Sequence, residues 1–142
     1  MENNMIITET QSVIFPSLKT NVQLVEKYID DICQFYNIGE ENYGNILVAV
    51  SEAVNNAICH GNRLDPDKSV KFFYETKDLN LCFTIEDEGD GFNPDTLPDP
   101  TDPNNINSPN GRGVFLMKKL SDDIKFLNDG RRVELYFRIS NQ

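Results

Sequence analysis

The sequence predicts an α+β domain, a two-layer sandwich in which a mostly antiparallel mixed sheet carries its helices on one face. Three observations lead there. Leu81, Phe83 and Ile85 alternate with Cys82, Thr84 and Glu86, the period-two pattern of a strand buried on one side only. Two segments carry one-sided apolar stripes at helical spacing. Short turn compositions, Lys77 to Asn80 and Asn128-Asp129-Gly130, join neighbouring strand runs as hairpins do.

Residues 5–15 form the expected opening strand, and Pro16-Ser17 supplies a break and a candidate N-cap. Leu18, Val22, Val25, Ile29 and Ile32 step by three and four, so a first helix runs to the Asn37 and Gly39 stop. A second helix covers about 40–60, with Ile46, Leu47, Val50, Ala53, Val54, Ala57 and Ile58 on its buried side and Gly61-Asn62 as its end. Asp65-Pro66-Asp67 is a turn, and Val70, Phe72, Phe73 and Tyr74 follow as a strand. From Asn93 to Asn110 the pattern dissolves into 18 residues with five prolines and five asparagines. A connection that long, against about 4 to 6 residues ordinarily, is expected to be a lid or spacer. Val114, Phe115, Met117 and Leu120 suggest a short helix opened by Gly111, and strands at Ile124 to Leu127 and Val133 to Ile139 close the chain.

The 142 residues, 39% of them hydrophobic, suffice for one core, so a single domain over 1–142 is expected. Thirteen Lys and Arg against 23 Asp and Glu give a formal charge of -10, which repels nucleic acid and anionic lipid. A nucleotide remains permitted, because Mg2+ and backbone N–H groups neutralise phosphates locally. Cys33, Cys59 and Cys82 are widely spaced and make neither a disulfide framework nor a zinc knuckle. The first ten residues lack the basic start and long apolar centre of a signal peptide, and no stretch approaches the ~20 apolar residues of a membrane span. A cytoplasmic protein is expected.

Three constellations carry chemistry. Glu52, Asn56 and His60 are spaced by four on the second helix and share one stripe. A carboxylate and an amide oxygen one turn apart suit Mg2+ coordination and activation of a hydroxyl for attack on phosphorus; a solvent-facing helix side is the plain alternative. Asp87-Glu88-Gly89-Asp90-Gly91 ends a strand, where glycines admit close backbone approach and Asp87 would accept a hydrogen bond from an exocyclic amine such as adenine N6; the alternative is an ordinary Asp/Gly turn. Gly111-Arg112-Gly113 opens a helix, a place where free N–H groups favour an anion and Arg112 adds charge, although an Asn-Gly turn would look the same. No Lys-Ser or Lys-Thr follows at P-loop spacing.

Taken in order, Glu-x-x-x-Asn on a helix, Asp-x-Gly-x-Gly after a strand, and Gly-x-Gly at a lid-to-helix junction resemble the Bergerat-fold (GHKL) ATPases and kinases over about residues 40–139. Ser51 to Gly61 looks most like the small anti-sigma-factor serine/threonine-protein kinases of bacterial partner switching. The resemblance implies Glu52 as general base, Asn56 as Mg2+ ligand, and Asp87 as adenine reader. It also implies Gly89 and Gly91 at the base pocket and Gly111, Arg112 and Gly113 at the phosphates. It implies ATP and Mg2+ as cofactors, phosphorylation of a STAS-domain antagonist, sequestration of a sigma factor or similar regulator, and a homodimer. Two departures stand out: Gly130-Arg131 replaces the usual Gly-Thr step entering the last strand, and the lid offers no basic residue. The alternative from another class is a non-catalytic ATP-binding module that holds a protein partner; retention of Glu52 favours the enzyme.

Overall fold

The computed structural model describes residues 12–91 and 109–139. The chain runs β1 (Val13–Pro16), α1 (Asn21–Phe35), α2 (Glu40–Asn56), a π-helical turn (Ala57–Gly61), β2 (Ser69–Lys77), β3 (Asn80–Glu86), α3 (Pro109–Leu120), β4 (Asp123–Leu127) and β5 (Arg132–Arg138). The strands form one sheet in the order β1-β2-β3-β5-β4, and every described pairing is antiparallel. The expected α+β sandwich is therefore present, without a parallel pair among the described strands.

One face of the sheet makes the core. Val70, Phe72 and Tyr74 of β2, Leu81, Phe83 and Ile85 of β3, and Val133, Leu135 and Phe137 of β5 are buried together. They meet Val25, Ile29 and Ile32 of α1, Ile46, Val50 and Val54 of α2, and Val114 and Met117 of α3. Each fully buried Phe or Leu contributes about 1.5 to 3 kcal/mol relative to exposure, so the aromatic centre at Phe72 and Phe83, stacked with centroids 6.2 Å apart, anchors the two layers. No helix of the described residues is long and apolar enough to cross a membrane.

Four boundaries differ from expectation. Of the opening strand only Val13–Pro16 lies within the described residues, and it includes Pro16, which sits at the sheet edge where its missing N–H costs nothing. Ser17 is not an N-cap: α1 starts later, after Thr20, and the Ser17 hydroxyl is buried and donates to the Lys68 carbonyl at 2.5 Å. Leu18 accordingly lies outside the helix and is exposed. The second helix does not stay α-helical to residue 60, because its last turn widens into the π-helical segment.

The fourth difference concerns α3. The helix begins at Pro109, two residues before Gly111, since proline at a first helical position loses no hydrogen bond. Gly111, Arg112 and Gly113 lie in its opening turns as expected, starting at its third residue rather than its first. The expected lid over 93–110 falls outside the described residues except for its last two positions.

Candidate functional site

α2 is straight-forwardly amphipathic. Gly39 enters it in an extended conformation, Glu40 and Glu41 sit favourably in its first turn, and Ile46, Ala49, Val50, Ala53 and Val54 face the sheet. That packing turns Glu52 and Asn56, half-buried, toward α3. A methyl group placed on Gly113 would lie 2.9 Å from the Asn56 amide nitrogen and 3.1 Å from Glu52 Oε1. A side chain there would press on the Asn56 amide and the Glu52 carboxylate, so glycine lets the α3 backbone lie close to both without moving them. The first and third sequence constellations are thus one place.

The π-helical turn brings in the second. Asn62 N–H donates to the Ala57 carbonyl at 2.8 Å and Leu64 N–H to Ile58 at 2.8 Å, and the widened turn lays Gly61 against the loop after β3. A methyl on Gly61 would strike the Asp87 carboxylate, and one on Gly89 would strike the Gly61 carbonyl. Gly91 has φ +83, where a side chain would also meet the Asp129 carbonyl. Glycine at these positions keeps the end of α2 and the Asp87 loop in direct contact.

Asp87 Oδ1 accepts the Gly89 N–H at 2.8 Å, and the Asp87 N–H donates to the Arg131 carbonyl at 2.9 Å, extending the β3–β5 ladder one step past Glu86 and Arg132. Behind the loop stands Asn62, buried: its amide donates to Ser17 Oγ at 2.8 Å and to the Ser69 carbonyl at 2.9 Å, and its Oδ1 accepts the Glu88 N–H at 2.7 Å. Glu88 itself accepts from Ser69 N–H at 2.8 Å. The loop that carries Asp87 is therefore held from β1, β2 and β5.

Between these walls lies a cavity of about 250 Å³. Ala53, Ile85, Val114, Met117 and Val133 supply its apolar surface, while Asn56, His60, Asp87 and Arg131 supply polar atoms, the mix expected of a small-molecule pocket. Burial raises the Asp87 carboxyl pKa above its ordinary value, partly offset by the Gly89 N–H and the Arg131 charge. Burial also lowers the His60 imidazole, which favours its neutral form. Arg112 is exposed on α3. Among the described residues no group of three or more His, Cys, Asp or Glu could hold a metal unaided.

A raised folded-state pKa means that the ligand-free protein keeps a proton on Asp87 that the unfolded chain has lost, so the ionised carboxylate destabilises the fold from just above pH 3.8 upward. Asp87→Asn is expected to raise the melting temperature of the ligand-free protein at pH 7. That gain should shrink as pH falls toward 4, and thermal denaturation across pH 4 to 7 measures both. A gain that does not change with pH would assign the effect to something other than ionisation.

Sequence reasoning missed Asn62, which looks like a helix stop beside Gly61 and is instead the hub behind the loop. The cavity position of Arg131 was visible only as a departure from the Gly-Thr step.

Residues 15–138 match the family model described as histidine kinase-like ATPase domain. The chain belongs to that family. This ATPase domain is 33% identical over 93 residues to the anti-sigma F factor of Shouchella clausii, a match covering 63% of this chain and 62% of that protein, a little under two thirds of its length. It is 26% identical over 122 residues to the serine-protein kinase RsbW of Bacillus mycoides, covering 80% and 74% respectively. Among solved structures, the histidine kinase domain of a blue-light activated histidine kinase from Erythrobacter litoralis aligns with a TM-score of 0.48 at 20% identity, over 87% of this chain and 61% of that one.

Proposed function

We propose that the chain binds ATP in this cavity and transfers its γ-phosphoryl group to a serine or threonine hydroxyl of a STAS-domain antagonist, and that it also sequesters a sigma factor or similar regulator. The observation carrying this reading is the approach of the α3 backbone at Gly113 to Glu52 and Asn56, beside a cavity that Asp87 also lines. The relatives named anti-sigma F factor and serine-protein kinase support the substrate class.

In this reading Asp87 accepts the adenine amino group, with Gly89 and Gly91 admitting the base close to the backbone. Phosphates meet the first turn of α3, which begins at Pro109, because the leading N–H groups of a helix have no partner within it. Glu52 takes the proton of the acceptor hydroxyl as its oxygen bonds to the γ-phosphorus, and the bond from that phosphorus to the β,γ-bridging oxygen breaks to release ADP. Asn56 would supply a hard oxygen to Mg2+, since among the described residues no cluster of three or more His, Cys, Asp or Glu could hold the ion unaided. When bound, the ion would neutralise charge on the phosphates. The reading implies action in the cytoplasm, a homodimeric state, and one working domain over 1–142.

The test mixes purified protein, γ-labelled Mg2+-ATP and a STAS-domain protein. One labelled hydroxyl residue on the STAS protein is the expected result. Tight ATP binding with no label on any STAS protein would replace the kinase with an ATP-dependent binding module.

A further inference from the structure

Arg131 stands just before β5, directly after Gly130, and its side chain bridges its own hairpin to the loop after β3. Its Nε donates to the Gly89 carbonyl at 2.6 Å, Nη2 to the Asp90 carbonyl at 3.3 Å, and Nη1 to its own neighbour Asn128 at 3.2 Å. Its main-chain carbonyl accepts the Asp87 N–H at 2.9 Å. One residue thus grips the loop on both sides of Asp87, through main chain before the carboxylate and through side chain after it. The relay is short: the guanidinium fixes Gly89, and the Gly89 N–H fixes Asp87 Oδ1 at 2.8 Å.

A guanidinium suits this task because its donors lie in a rigid plane and stay charged, so two successive carbonyls can be held at once. The ion pair to Asp129 at 3.6 Å adds little energy, since the Asp129 carboxylate is largely exposed, but it anchors the plane from the hairpin side. Arg131 also borders the cavity itself. Arginine lying across a surface hairpin for solubility alone would have no reason to spend its donors on the loop that carries the half-buried Asp87 carboxylate of the cavity.

We propose that Arg131 is a positioning residue for base recognition, holding the Gly89-Asp90 turn so that the Asp87 carboxylate is presented to the purine amino group. The proposal rests on the assignment of Asp87 as the adenine reader, and it adds a determinant of purine choice outside the three motifs.

The experiment measures equilibrium binding of Mg2+-ATP and Mg2+-GTP to the full chain and to Arg131→Met, Arg131→Lys, Asp87→Asn and the Asp87→Asn/Arg131→Met pair. Arg131→Met is expected to weaken ATP about tenfold and leave GTP unchanged, the size of coupling seen between residues of one hydrogen-bond network. In the Asp87→Asn background the same substitution should change ATP affinity less than about twofold. Arg131→Lys keeps the charge but not the fork, and should lose part of the preference while its melting temperature stays at the wild-type value. Equal weakening of ATP and GTP in Arg131→Met, or a full effect of Arg131→Met without Asp87, would overturn the proposal and leave a structural role. If Arg131→Met does not fold, full ATP preference in Arg131→Lys overturns it. Retained ATP preference in Asp87→Asn would instead remove the reading of Asp87 on which it stands.

Discussion

Glu52→Gln is expected to slow phosphoryl transfer by about 10²- to 10⁴-fold, the range that a positioned general base supplies. Nucleotide affinity should change by less than about threefold, because a base acts on the acceptor hydroxyl and adds little to ground-state binding of ATP. Glutamine keeps the shape that lies against Gly113, so the contact between α2 and α3 survives the change. Single-turnover transfer from labelled ATP, beside equilibrium binding of the same variant, separates the two quantities. Transfer at the wild-type rate would dismiss Glu52 as the base; lost binding with normal transfer at saturation would make it a nucleotide ligand.

Asn62→Ala should be the most damaging polar substitution away from the chemistry. It removes the acceptor of the Glu88 N–H and the donors to Ser17 Oγ and the Ser69 carbonyl, all at a buried position. Stranding such groups costs about 1 to 3 kcal/mol each, and with partial rehydration a total of about 3 kcal/mol is expected. For a chain of 142 residues that corresponds to a fall of about 10 °C in melting temperature. ATP affinity should fall as well, since Glu88 is the neighbour of Asp87. Asn42→Ala, exposed on α2, should stay within about 0.5 kcal/mol and serves as the comparison. An Asn62→Ala protein that melts like Asn42→Ala would mean that β5 and the Glu88 contact with Ser69 suffice to hold the loop.

The layers of this fold were legible because their signals are local. Period-two alternation in Leu81 to Glu86 reports the strand and its core face, although β3 is not half-buried as expected, since Cys82 and Thr84 on its other face are buried too, and the stripe from Ile46 to Ile58 reports the inner face of α2 and the turn after it. The spacing of Glu52 and Asn56 was legible for the same reason. What the sequence could not show is where side chains are recruited by distant partners. Ser17 has the composition of an N-cap, yet it is taken by Asn62 and Lys68, 45 and 51 positions along the chain. Gly111 looks like a helix opener, yet Pro109 is a better first residue and moves the start upstream. The π-helical turn has no compositional mark, because its cause is the need of Gly61 to reach the Asp87 loop. Arg131 stood out only as an unexpected neighbour of Gly130, and its purpose emerges from carbonyls 41 and 42 residues earlier.

That sequence separation has a bearing on how this protein can change over generations. The two sides of the Asp87 loop are fastened across 42 positions by Arg131 and by the β3–β5 ladder, so forming that fastening closes a long stretch of chain that includes α3 and β4. Closure entropy grows only with the logarithm of length: doubling such a stretch costs about 0.6 kcal/mol. A change of chain length between Gly91 and Pro109 therefore alters the closure cost of that fastening by only a small amount, and variants that differ in length there are expected to keep the Asp87 loop fastened to Arg131.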